Sequence, residues 1–111
     1  MTIKVYRKTF TINASSTWTR QSDSLPTPAG YNRVLREVRL SFSATSNAYL
    51  RLYVENEMIA EISAEVWNKY MLPYYFDTQI PTGKSLYFET SNSNSSNVTL
   101  TVECIVEETT A

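Results

Sequence analysis

Apolar side chains recur at every second position through most of this chain, and that period leaves few folds open. From Val98 to Val106 the even positions hold Val98, Leu100, Val102, Cys104 and Val106, with Thr99, Thr101 and Glu103 between them. A period of two sends alternate side chains to opposite faces of a strand, so that one face meets a core and the other meets water. The same parity runs through Val34, Arg36, Val38, Leu40, Phe42 and Ala44, through Leu50, Leu52 and Val54, and through Leu86, Phe88 and Thr90. The pattern predicts that even-numbered side chains from Val34 through Val106 share one interior. It also puts Arg36 at a core-parity position, where a guanidinium must be paired or must reach a rim.

The punctuation between these runs is polar. Thr45-Ser46-Asn47 and Pro81-Thr82-Gly83-Lys84 are turn chemistry, and Ser91 to Asn97 is a run of serine and asparagine expected to stay in water. Near the start, Ile3 and Val5 mark one face and Tyr6, Phe10 and Ile12 the other, which predicts a bulge or a crossing between sheets. Ser15 to Tyr31, with Pro26, Pro28 and Gly30, is expected to be a long connection with room for a short strand at Thr17-Trp18-Thr19.

Residues 56–70 admit two readings. Glu57, Glu61, Glu65 and Lys69 recur at helical spacing, but Met58, Ala60 and Ile62 keep the parity of the preceding strand. The expectation is a hairpin turning at Asn56-Glu57, then a short helix from an N-cap at Ser63 to about Tyr70, ended by Pro73.

The expected fold is therefore all-β: an antiparallel β-sandwich, jelly-roll-like, of seven to eight strands with at most one short helix, in a single domain spanning 1–111. Long strands and one long early connection suit two Greek keys better than a fibronectin-like sandwich. With Cys104 alone, the immunoglobulin disulfide is excluded, and the thiol reads as a small buried hydrophobe.

Composition narrows the function. The chain has no histidine, so histidine triads, histidine metal sites and histidine pH switches are ruled out. Two glycines cannot build a phosphate-cradling loop. Glu55, Glu57 and Glu61, with Asp23 or Asp77, lack the spacing of a calcium loop. Neither catalytic residues, nor a metal, nor a cofactor is expected. The first ten residues carry no apolar core of a secretory signal and no apolar run approaches a membrane span, so cytoplasmic synthesis is expected and a membrane is not.

Charge is divided along the chain. Residues 1–54 hold eight cations and two acids, whereas residues 55–111 hold two cations and nine acids. Either strands from the two halves interleave and mix the charges, or a basic and an acidic face meet between copies. Arg33, Arg36, Arg39, Glu103 and Glu107 are the candidate inter-subunit charge contacts. A pI near 5.4 disfavours nucleic acid as a partner. Trp67, Tyr70 and Tyr75 are the candidate surface aromatics, for an interface or for stacking on a glycan; Tyr49, Tyr53 and Tyr87 have outward parity and could extend that surface.

Two stretches carry a wider likeness: Tyr49 to Ile62 as a hairpin, and Ile80-Pro-Thr-Gly-Lys-Ser-Leu-Tyr-Phe88 leading to the last strand. In that architecture the chain resembles the small single-domain jelly rolls of virion structural proteins, of capsid and capsid-decorating types. The resemblance covers nearly the whole chain and rests on architecture, an uninterrupted series of strands, and not on a specific motif, so no family site is carried over. It implies a non-enzymatic virion subunit that forms a symmetric homo-oligomer, often a trimer, with other structural proteins of the particle as partners. A carbohydrate-binding module is the alternative expectation.

Overall fold

The chain folds as a set of nested strand pairs. A computed structural model describes residues 1–111 and contains β1 (Thr2–Ile12), β2 (Ser16–Pro26), β3 (Tyr31–Phe42), β4 (Ala48–Val54), β5 (Glu57–Ser63), α1 (Ala64–Tyr70), β6 (Tyr74–Ile80), β7 (Ser85–Asn92) and β8 (Val98–Thr110). β4 pairs with β5, β3 with β6, β2 with β7 and β1 with β8, all antiparallel. Rolling that long hairpin up adds the β3–β8 and β4–β7 ladders and yields two four-stranded sheets, β1-β8-β3-β6 and β2-β7-β4-β5. This is the antiparallel sandwich expected from the alternation, with eight strands wound in jelly-roll order.

The two inner faces enclose one core. Leu35, Val38, Leu50, Leu52, Ile80, Leu86, Phe88, Leu100, Val102, Cys104 and Val106 are completely buried, and the Phe10 and Phe88 rings lie 5.1 Å apart. Leu40 is only partly buried against this core. Burial pushes the Cys104 thiol up to about 12, so it packs as an inert small hydrophobe.

The predicted parity fails in β3, for a local reason. Leu35 faces Val106 and Glu37 faces Ile105, so Arg36 is an extra residue in a β-bulge. Before the bulge the odd side chains Arg33 and Leu35 point inward; after it Val38 and Phe42 do. Val34 and Arg36 therefore leave the core parity assigned to them. A second bulge, at Ile59, turns Met58 outward beside Tyr53.

Three further expectations are corrected. β1 runs against β8 in unbroken register, so there is no bulge at Val5–Tyr6; Ile3 and Val5 simply lie on the outer face, more than half exposed. The connection Ser15–Tyr31 is largely strand β2, whose polar sequence reflects an edge position and two register shifts. The polar run Ser91–Asn97 is not wholly in water. β7 extends to Asn92, whose side chain is 0 % exposed, donates from Nδ2 to the carbonyls of Ile12 and Ser96, and accepts from the Asn94 N–H.

Residues 56–70 resolve as the hairpin and short helix, but the turn falls at Glu55-Asn56 and not at Asn56-Glu57, because Glu57 already pairs with Val54 in β5. Glu55 takes the left-handed conformation at the β4–β5 turn (φ 55°). The Ser63 hydroxyl caps α1 by accepting from the Val66 N–H, and Met71 closes the helix in the left-handed region.

Candidate functional site

The outer face of the β2-β7-β4-β5 sheet gathers the side chains best suited to recognition. Alternation points Tyr49, Arg51 and Tyr53 outward from β4, and Tyr87, Glu89 and Ser91 outward from β7. The register aligns Arg20 with Glu89, Glu89 with Arg51, and Arg51 with Glu61, giving a row of charges that alternates in sign across all four strands. Arg20 Nε donates to Glu89 at 3.0 Å and Arg51 Nε to Glu61 at 2.7 Å. The Glu61 hydrogen bond holds the Arg51 guanidinium above its ordinary range, so it stays charged.

Aromatic rings flank that row. The Arg20 guanidinium sits 4.4 Å from the Tyr87 ring centre and 5.2 Å from that of Tyr53. Arg51 covers Trp18 at 3.9 Å, and Trp18 leans against Tyr49 with ring centres 6.2 Å apart. Cation–π and ionic contacts thus fix long side chains before any partner arrives, which lowers the entropy lost on binding. Trp18 was the residue sequence reasoning missed as a surface group. Its Thr-Trp-Thr alternation was the available signal.

The three aromatics singled out from sequence do not gather. Trp67 turns inward against Phe42, with ring centres 5.8 Å apart, and lines a hollow of about 130 Å³ with Leu40, Met71 and Leu72. Tyr70 is exposed at the end of α1 beside Lys69. Tyr75 is 76 % exposed on the outer face of β6, opposite Glu37.

Most of the candidate charge contacts are engaged within the chain. Arg33 is buried between the sheets: Nε donates to Glu108 at 2.8 Å, its other nitrogens reach Tyr6 Oη and the Pro26 carbonyl, and Lys4 also approaches Glu108. Hydrogen bonding from Arg33 holds the Glu108 carboxyl below the usual range. Arg36 bridges Asp77 and Glu107 across the bulge, and Glu107 raises its pKa further. Arg39 pairs with Glu37. Glu103 stands between Arg7 and Arg39 in register, beside a polar hollow of about 200 Å³. The acidic side chains weighed for calcium are dispersed: Glu55 accepts from the Ser85 N–H, Glu61 holds Arg51, Asp23 holds Lys8 and Asp77 holds Arg36.

Six of the eight ion pairs join the basic first half of the chain to the acidic second half, so interleaving does mix the charges. A difference nonetheless persists between the long sides of the sandwich. On one side lie β1 and β2, tied by the Lys8–Asp23 pair; β1 carries Lys4, Arg7 and Lys8 with no acid, and β2 one charge of each sign. On the other side, β5 and β6 carry Glu57, Glu61 and Asp77 with no cation, and α1 between them one charge of each sign. The sides differ as three net positive against three net negative charges. Comparison with protein families, characterised proteins and solved structures returned no match.

Proposed function

We propose that this chain is a non-enzymatic structural subunit that assembles head to tail into a symmetric homo-oligomer, as a coat or decoration protein of a virion would. The observation that carries the reading is the opposition of the two long sides: a basic edge at β1 and β2, an acidic edge at β5 and β6. Each of these four strands has a neighbour on one side only and presents backbone donors and acceptors on the other. Strand direction alternates across each sheet, so β1 of a second copy laid beside β6 continues the antiparallel order, and β2 beside β5 does the same. Unlike edges that fit each other make a heterologous contact, which closes into a ring when the rotation per subunit allows, three copies being the smallest such ring. The charges steer the encounter and exclude like edges.

Such a role calls for no cofactor, and the other structural proteins of the particle are its further partners. Native mass spectrometry at low and high salt tests it. The wild type assembles at low salt and loses mass as salt screens the edges, and Lys4→Glu with Arg7→Glu forms no ring. A wild type that is strictly monomeric at high concentration and low salt overturns the reading.

A further inference from the structure

The aromatic and charged face of the β2-β7-β4-β5 sheet is a second surface, distinct from the strand edges, and its pattern is self-complementary. We infer that this face docks on the same face of a second copy about a two-fold axis that runs along the strands, between β7 and β4.

The argument is one of symmetry. Across the sheet the row reads Arg20, Glu89, Arg51, Glu61: plus, minus, plus, minus. A dyad along the strands between the two central strands places β2 over the partner copy's β5 and β7 over its β4. Arg20 then meets Glu61 of the second copy, and Glu89 meets its Arg51, so all four superpositions pair opposite charges. A dyad in the same plane but across the strands puts each charge over its own copy, four repulsive contacts. An alternating row of even length permits the first and forbids the second.

The aromatic rows obey the same operation. Tyr49 lies level with Ser91 on β7 and Ser63 on β5, and Trp18 stands on β2 beyond Ser91. The dyad sets Tyr49 over the second copy's Ser91 and Trp18 over its Ser63, large over small. Below the charges, Tyr87 and Tyr53 stand side by side and meet Tyr53 and Tyr87 of the second copy. Trp, Tyr and Arg are the side chains that concentrate binding energy in interfaces, and here they are already immobilised. The same immobilisation argues against a sugar. Stacking needs a bare ring face, and guanidinium groups already cover Trp18, Tyr53 and Tyr87.

The test uses Arg51→Glu and Glu89→Arg, both on central strands and away from the edges that make the head-to-tail contact. Each variant alone superposes like charges across the dyad, so its two-fold association weakens by about a hundred-fold or more and the native mass falls by half. Mixed, the two variants restore both pairings. The unchanged Glu89 of the first meets the unchanged Arg51 of the second, the two introduced charges meet each other, and the doubled mass returns. Far-ultraviolet circular dichroism verifies that each variant keeps its strands. In a Trp67→Phe background, Trp18 emission shifts to the blue as the wild type associates with rising concentration. An Arg51→Glu protein with the wild-type mass, or a mixture no heavier than its parts, overturns the inference. So does a Trp18 emission that ignores protein concentration but responds to a panel of soluble glycans. The head-to-tail contact is read separately through Lys4→Glu with Arg7→Glu, so either contact can fail while the other stands.

Discussion

Asn92 offers a sharp check on the fold, because one small buried side chain there satisfies three backbone groups, the Ile12 carbonyl in the interior and two in the loop that follows. Its amide donates to the Ile12 carbonyl at 3.2 Å and the Ser96 carbonyl at 3.0 Å, while its oxygen accepts from the Asn94 N–H at 2.9 Å. Asn92→Ala deletes all three bonds. At roughly 1 kcal/mol each, and with the orphaned groups still partly shielded from solvent, the loss comes to about 3 kcal/mol. For a chain of this size, urea slopes on the order of 1–3 kcal/mol per molar convert that into a midpoint lower by about 1–3 M. Asn97→Ala is the control. Asn97 accepts a single exposed bond from the Ala14 N–H, so its loss costs about 1 kcal/mol or less. Equilibrium urea unfolding of the two variants, with far-ultraviolet circular dichroism and tryptophan emission as probes, gives the comparison. If Asn92→Ala unfolds within about 0.5 M of the Asn97→Ala protein, the buried-lock reasoning is refuted.

Two other outcomes follow from the packing. Glu108 titrates below its ordinary range when folded, so its contribution to stability is complete above about pH 5 and is lost as the medium is acidified through its folded pKa; Glu108→Gln flattens that acid slope in pH-resolved unfolding curves. Deleting Arg36 removes the bulge and turns Arg33 and Leu35 out of the core, so the deletion abolishes cooperative melting, whereas Arg36→Ala keeps the bulge and melts close to the wild type; equal melting of the two would refute the bulge as the source of the parity switch.

What the sequence made legible was whatever one face of a strand decides alone. Val98 to Val106 shows its burial directly, because every second side chain is aliphatic or sulfur and no irregularity intervenes. The Ser63 cap and Pro73 framed α1 for the same local reason. β2 stayed hidden because its inward side chains include Gln21, which bonds Thr90 rather than joining the aliphatic core. The reversal at Arg36 was hidden because a bulge is a relation between three strands, and Val34-Leu35 reads equally well in either parity. Similarly, Asn92 looked like loop because the partner that buries it, Ile12, is set by tertiary pairing. For the surfaces, outward parity flagged Tyr49, Tyr53 and Tyr87, but only the sheet order β2-β7-β4-β5 brings Trp18 and the two arginines to them. Trp67 was misleading as a surface group because α1 folds back and lays its ring on Phe42.

Nesting the pairs has a geometric result for both chain ends. Thr2 lies opposite Glu108, and the Ala111 N–H donates to the Gly30 carbonyl, so the termini emerge together at one pole of the sandwich. The opposite pole holds the serine- and asparagine-rich loops around Asn13, Asn47 and Asn94, which bond to one another. A peptide grafted to either terminus would thus be borne at the same pole in every subunit, leaving the far loops unencumbered, and a short linker between the two ends could circularise the chain without crossing the core.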